Sequence, residues 1–272
     1  MERRQFIYTF ILGSGGILAT GNLLGVNTMN ENNMIIRMIY NNTGESGDLK
    51  NAWGLSVWIE DQTGATLFDT GGKSSFLTKN MQSLALDPKN LQRIIISHDH
   101  WDHTGGLESV INQSDRRADL YVVQEIRESY AAKFTGVNVV GVSNPQRIEE
   151  NIWSTGSLKA THRSGDIYEQ SLLLTKSESM VLITGCSHPG IVKIVKRAQN
   201  MHPGKKLVFV AGGFHLMREA EESVQKISQD LLDLGVEKIA PSHCTGDRSI
   251  EIFKETWGDR FVSFDLGEQK MI

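Results

Sequence analysis

Two cysteines in 272 residues, Cys186 and Cys244, exclude a disulfide framework as the source of stability. No basic stripe is present either. With 28 Lys and Arg against 32 Asp and Glu, the formal net charge is −4, which argues against a polymeric nucleic acid as partner. Internal repeats and low-complexity tracts are absent, so a repeat architecture is set aside. From Met34 onward no Pro-, Gly- or Ser-rich linker divides the chain, and residues 34–272 read as one domain. The 39% hydrophobic content is that of an ordinary globular protein able to bury a substantial core.

Long apolar runs are scarce, with one exception. Arg3 and Arg4 precede an uncharged apolar stretch from Phe6 to Leu24, followed by polar residues from Asn27 to Asn33. This is the layout of an export signal, and Arg3-Arg4-Gln5-Phe6-Ile7 resembles the core of a twin-arginine leader. Residues 1–33 are therefore expected to be an export signal or an N-terminal membrane anchor, close to the about 20 apolar residues that span a bilayer. The expected location is periplasmic or membrane-anchored; a buried N-terminal helix is the alternative reading.

What remains is an alternation of short apolar runs with amphipathic stretches. Ile35 to Tyr40, Leu55 to Glu60 and Ala65 to Phe68 predict strands, separated by Asn, Gly and Asp clusters. Ile191, Ile194, Val195 and Ala198 recur at helical spacing, as do Val224, Ile227, Leu231 and Leu234 ahead of Gly235. Sheet plus helices with buried stripes implies a layered α/β fold. Polar residues follow the ends of the apolar runs. Phe68 leads to Asp69, Ile96 to Ser97-His98-Asp99-His100, and Ile183 to Thr184-Gly185-Cys186-Ser187-His188. Val210 leads to Gly212-Gly213-Phe214-His215, and Val236 to Ala240 leads to Pro241-Ser242-His243. Ligands in α/β sheets gather beyond the carboxyl ends of strands, so these groups are expected to converge.

The string His98-Asp99-His100-Trp101-Asp102-His103 concentrates three imidazoles and a carboxylate that are costly to bury without a cation. A divalent ion of borderline character accepts both donor types. In an extended loop, alternate positions would send His98 and His100 to one ion and Asp102 and His103 to another. Gly105 and Gly106 would then turn the backbone into the next helix. Asp69 is expected to orient a ligand imidazole, and His162 and His202 are expected to face solvent. Cys186 is read as a small buried thiol, with metal ligation and pairing to Cys244 as alternatives. The segment from Ser114 to Asp166, with Arg116, Arg117 and Arg127, is either a pocket wall or a charged surface insertion.

Together with Leu67-Phe68-Asp69-Thr70-Gly71, this string resembles the signature of the metallo-β-lactamase superfamily. Thr184-Gly185-Cys186-Ser187-His188-Pro189-Gly190, Gly212-Gly213-Phe214-His215-Leu216 and His243-Cys244-Thr245-Gly246 narrow the resemblance. They point to the 7,8-dihydropterin-6-methyl-4-(β-D-ribofuranosyl)aminobenzene-5'-phosphate synthase-like subgroup. The resemblance spans about Met34 to Leu266 and implies a four-layer αββα sandwich with two divalent metal ions, Zn first, with Mn or Fe as alternatives. The implied metal residues are His98, His100, Asp102, His103, His188 and His243. Two departures stand out: Thr184-Gly185-Cys186 occupies the usual Thr-Gly-Asp position, and Tyr168-Glu169-Gln170 holds no histidine where a lone ligand is usual. His188 is expected to take over as third ligand of the first ion.

The implied activity is hydrolysis by metal-bound hydroxide, with small phosphorylated molecules, diesters or cyclic phosphates, as favoured substrates. Asp102 would anchor the second ion and orient the nucleophile. His215 would protonate the leaving group, or else be a structural histidine near the metals. Lactone, lactam or thioester hydrolysis is the alternative chemistry, and a metal-containing sensor without turnover the alternative class. A di-iron redox role is disfavoured, because iron relatives carry Glu where His100 stands.

Overall fold

The computed structural model describes residues 33–44, 47–162 and 165–272, so the expected leader lies outside the described residues except for Asn33. Strands β1 (Ile35–Tyr40), β2 (Ser56–Asp61), β3 (Gly64–Phe68), β4 (Leu91–Ile95), β5 (Asp119–Val123) and β6 (Val139–Val142) lie side by side in that order. A second sheet contains β7 (Gln146–Glu149) and β8 (Ile152–Ser154), then, after a separate hairpin of β9 (Leu158–His162) and β10 (Gly165–Glu169), continues with β11 (Leu172–Lys176), β12 (Ser179–Thr184), β13 (Lys206–Gly213) and β14 (Ile239–Ser242). Its spatial order is β14-β13-β12-β11-β8-β7, and β15 (Gln269–Met271) returns to pair with β1.

Side-chain alternation along these strands sorts the core into three apolar layers. In β12, Val181 and Ile183 point into the space between the sheets, while Met180 and Leu182 point outward. On the first sheet Ile95 faces inward and Ile94 and Ile96 face outward. The outward faces are covered by helices. Residues of α1 (Ser74–Ser83) and α3 (Leu107–Gln113) pack on the first sheet, α3 following the one-turn α2 (Trp101–Thr104), and Tyr130 of α4 (Arg127–Lys133) joins them. Helices α5 (Ile191–Met201), α6 (Glu221–Asp233) and α7 (Asp247–Trp257) cover the second sheet. The αββα sandwich is thus the observed fold.

Periodicity accounts for the second set of helices. Ile191, Ile194, Val195 and Ala198 are all buried on α5, each large aliphatic contributing about 1.5–3 kcal/mol by leaving water. Helix α6 stops before Gly235, whose φ of 78° continues the chain in the left-handed region where glycine is unstrained. Three expectations need correction. The last strand starts at Ile239 instead of Val236 and runs through Pro241, which β14 tolerates because it is an edge strand. The segment from Ser114 to Asp166 is no surface insertion, since it supplies β5 to β8 of the two sheets. His202 does not face open solvent: it is half-buried with its ring edge-on to Trp153, centroids 4.7 Å apart. The side chain of His162 lies outside the described residues.

Candidate metal centre

Parallel pairing of β3 with β4 and of β13 with both β12 and β14 brings the expected strand ends to one end of the sandwich. The imidazoles meet there. His98 lies 4.7, 4.2 and 4.9 Å, centroid to centroid, from His100, His103 and His188. His103 lies 5.1 Å from His243, and His188 4.2 Å from His215. Four of the residues that make these exits are non-glycine with positive φ: Asp69 (59°), Ser187 (65°), His215 (55°) and His243 (53°). Such conformations cost about 1–3 kcal/mol each and persist where the surroundings over-determine them.

Hydrogen bonds fix the tautomers of the buried rings. Ser97 Oγ lies 2.7 Å from Asp69 Oδ2 and 2.8 Å from His98 Nδ1. Its single proton goes to the carboxylate, so His98 Nδ1 donates and Nε2 keeps its lone pair. His103 Nδ1 donates to Asp69 Oδ2 at 2.7 Å, which is the orienting role expected of Asp69. Asn42 Nδ2 donates to the His243 carbonyl at 3.3 Å, which turns its Oδ1 towards His243 Nδ1 at 2.7 Å. In His98, His103 and His243 the Nδ1 position is thus spoken for, and Nε2 points into the centre.

Among the described residues the donor atoms fall into three overlapping groups, of which Cys186, His215 and Cys244 form the one on the cleft side and the other two lie deeper. Asp102, His103, Cys186 and His243 form one, and His98, Cys186 and His188 the other, with the donor atoms of each within 4.8 Å of one another. His100 adjoins the second group, its Nδ1 3.1 Å from His98 Nε2. His243 Nε2 is buried without a hydrogen-bond partner of acceptable geometry, although it lies 3.3 Å from Asp102 Oδ2. A buried lone pair of this kind, among imidazole, thiol and carboxylate donors, fits a divalent cation of borderline character.

Charge follows the same layout. Burial, then the surrounding imidazoles, pushes His98 well below the ordinary histidine range and keeps it neutral. Burial alone would raise the Asp102 carboxyl, but His243 and His103 beside it hold it well below the usual carboxylate range. His103 is the reverse case: against the pull of burial, Asp69 and then Asp102 hold it up at about 9. A cation arriving at its Nε2 therefore displaces a proton. Contact with Cys244, outweighing burial, raises the exposed His215.

Several features were not anticipated from the sequence. Glu169, buried at the end of β10, accepts the backbone N–H groups of Cys186 (2.9 Å), Ser187 (2.7 Å) and His188 (2.7 Å). It clamps the loop that carries two candidate ligands, and only its position opposite that loop reveals this. Gln170 likewise holds the β4 exit, donating to the carbonyls of Ile96 and Ser97. Asp102 and His103 stand on a helical turn, α2, and not in an extended loop. Gly105 and Gly106 serve close approach instead of a turn: a Cβ on either would lie 2.4 Å from the carbonyl oxygen of Gly72 or Thr70.

A cleft of about 460 Å³ opens beside the centre, with Trp53, Thr161, His215, Met217 and Arg218 on its walls. Trp53 and Met217 are exposed there although both are large and apolar, and the Trp53 ring lies 4.9 Å from that of His243. His215 thus stands on the cleft wall with its ring hydrogen-bonded to Cys244.

Residues 54–164 match the family described as the metallo-beta-lactamase superfamily. The chain is 26% identical over 259 residues to the 7,8-dihydropterin-6-methyl-4-(beta-D-ribofuranosyl)-aminobenzene-5'-phosphate synthase of Methanocaldococcus jannaschii, covering 79% of this chain and 88% of that one. Among solved structures it resembles a metal-dependent hydrolase of the beta-lactamase superfamily, with a TM-score of 0.70 at 24% identity over 87% of this chain and 98% of that one. A metallo-beta-lactamase fold protein from Bacillus subtilis follows, with a TM-score of 0.64 at 13% identity over 89% and 100%. The matched segment ends before Cys186, His188, His215 and His243, yet the fold carries all four into the same centre as the segment's own HxHxDH string. The chain thus matches the metallo-β-lactamase superfamily over residues 54–164, has that superfamily's fold, and is similar to its metal-dependent hydrolases and related enzymes.

Proposed function

We propose that this chain hydrolyses phosphoesters, diesters or cyclic phosphates of small molecules, with two divalent cations, Zn first. One cation is held by His98, His100 and His188, the other by Asp102, His103 and His243. The observation that carries the reading is the pair of adjoining donor groups, each with its donor atoms within 4.8 Å of one another. When bound, such ions polarise a phosphoryl oxygen and lower the pKa of water towards ~7.

The chain's own residues supply the rest. Asp102, held ionised by its imidazole neighbours, fixes charge at the floor of the centre. His215, exposed on the cleft wall with its imidazole raised, is placed to protonate the leaving-group oxygen. Arg218 offers a permanent positive charge to a phosphate, and Trp53 and Met217 offer apolar surface to the organic part of the substrate. The phosphate ester in the name of the archaeal relative supports a phosphorylated substrate. Export through the leader over residues 1–33 completes the proposal, to be checked by cell fractionation.

The test is a panel offered to Zn²⁺- or Mn²⁺-loaded protein: a chromogenic phosphodiester, cyclic nucleotides, a lactone, a thioester and a cephalosporin. Phosphodiester cleavage that disappears in Asp102→Ala is the expected result. Cleavage of the acyl substrates alone would replace this reading with lactone, lactam or thioester hydrolysis. Silence across the panel from protein carrying both metals would refute it.

A further inference from the structure

The two deeper donor groups share one atom. Cys186 Sγ belongs both to the set with Asp102, His103 and His243 and to the set with His98 and His188. We propose that Cys186 is a metal ligand that bridges the two cations through its sulfur. This rests on the two-cation reading of the site and deepens it.

Geometry carries the argument. Tetrahedral coordination with metal–nitrogen bonds near 2.0–2.1 Å and metal–sulfur bonds near 2.3 Å places neighbouring donor atoms about 3.3–3.6 Å apart. The separations found are of that size: Cys186 Sγ to His103 Nε2 is 3.2 Å, His103 Nε2 to Asp102 Oδ2 3.7 Å, and His243 Nε2 to Asp102 Oδ2 3.3 Å. A thiol serving as a small apolar filler would face carbon. This one faces imidazole nitrogens from both groups.

The sulfur is also held where it is. Glu169 ties down the N–H groups of Cys186 and the two residues after it. On the other side Gly213 approaches so closely that a Cβ there would lie 2.4 Å from the Gly185 carbonyl oxygen. A loop pinned on both sides presents Sγ at a fixed point between the groups, as a bridging ligand requires. On coordination the thiol S–H bond is replaced by sulfur–metal bonds and the proton leaves to solvent. A bridging thiolate also sets metal preference, favouring Zn²⁺, Co²⁺ or Fe²⁺ over Mg²⁺ or Ca²⁺.

Cobalt titration of the metal-stripped full chain tests this without reference to turnover. Thiolate ligation gives a sulfur-to-cobalt charge-transfer band in the near ultraviolet. A bridge makes that band grow through both the first and the second equivalent of Co²⁺. Cys186→Ser should abolish the band and weaken each binding step by at least about tenfold. Cys186→Asp, which keeps an anionic group able to bridge, should still take up two ions without the band. Cys244→Ser should keep the band.

A band that stops at one equivalent, persists in Cys186→Ser or vanishes in Cys244→Ser would overturn the bridge, as would two bound cobalt ions with no band at all. Those outcomes leave the two-cation centre standing. Uptake of no cobalt, or of a single ion, would remove the two-cation reading and the bridge with it.

Discussion

Replacing Glu169 tests whether the centre depends on a residue that binds no metal. The carboxylate is buried, with Oε1 taking the N–H groups of Cys186 and Ser187 and Oε2 that of His188. Glu169→Ala strands three buried donors, each worth about 1–3 kcal/mol when left unmade. Relaxation of the loop recovers part of the sum, so the expected loss is about 3–5 kcal/mol. In a domain of this size that lowers the melting temperature by about 6–20 °C. Because the loop carries Cys186 and His188, metal affinity should fall about 10–100-fold as well. Glu169→Gln is milder: its carbonyl keeps the two bonds at Oε1, and only the contact with His188 N–H is lost, at about 1–3 kcal/mol.

A pH signature accompanies this. Burial, opposed by the three N–H groups, pushes Glu169 up to about 7 in the metal-free protein, above the about 4.3 of an unfolded chain. The folded state therefore holds a proton that the unfolded state has released. The corresponding stability is complete below about pH 4.3 and is lost as pH rises through about 7. Urea denaturation of chelated protein across this range should show that slope in the native sequence and a flatter one in Glu169→Gln. An alanine variant that melts within a degree of the native protein and binds metal equally well would refute the clamp.

Three further outcomes follow from the site. His215→Asn, chosen because asparagine tolerates the φ of 55°, should keep both metals and lose about 10²–10⁴-fold in phosphodiester turnover; unchanged turnover would remove His215 from the chemistry. Gly185→Ala would place a Cβ 2.2 Å from Ser97 Oγ and 3.1 Å from Asp69 Oδ2, so scanning calorimetry should register about 1–3 kcal/mol of destabilisation. Chelation should lower the melting temperature, since each site filled at 100 times its Kd adds about 2.7 kcal/mol; a transition unmoved by chelator and by re-addition of Zn²⁺ would contradict metal binding.

The sequence was most informative where chemistry and chain order coincide. His98, His100, Asp102 and His103 lie within six residues after one strand, and their polar cost without a cation is visible with no structure. The outward and inward faces of β12 could be counted off as alternating apolar residues, and the buried face of α5 is the stripe from Ile191 to Ala198. What escaped were residues whose role exists only across the fold. Asn42 fixes the tautomer of His243 from 201 positions away, and nothing in the local string Asn41-Asn42-Thr43 announces that. Glu169 lay in a segment notable for its missing histidine, and its value comes from facing three N–H groups 17 to 19 residues later. Trp53 carried no pattern of its own, and its exposure beside His243 emerges only when β2 and β14 are set in their sheets.

The balance of buried charge ties these residues together. Asp69, Asp102 and Glu169 are three buried carboxylates around one centre. Among the described residues the only buried Lys or Arg is Arg93, and it is engaged by Glu149. Burying unpaired charge costs several kcal/mol per group, so the counter-charge must come from within the centre. His98 cannot supply it, being held neutral by burial and by the other imidazoles. His103 supplies part, at the expense of a proton on the nitrogen that faces inward. Glu169, raised to about 7 by burial against the pull of three N–H groups and of His103, adds the third carboxyl. Two divalent cations would bring four positive charges against three carboxylates, and a thiolate at Cys186 would make the fourth negative one. On this reckoning the cysteine in place of aspartate preserves the charge of the centre while exchanging a hard oxygen donor for a soft sulfur one.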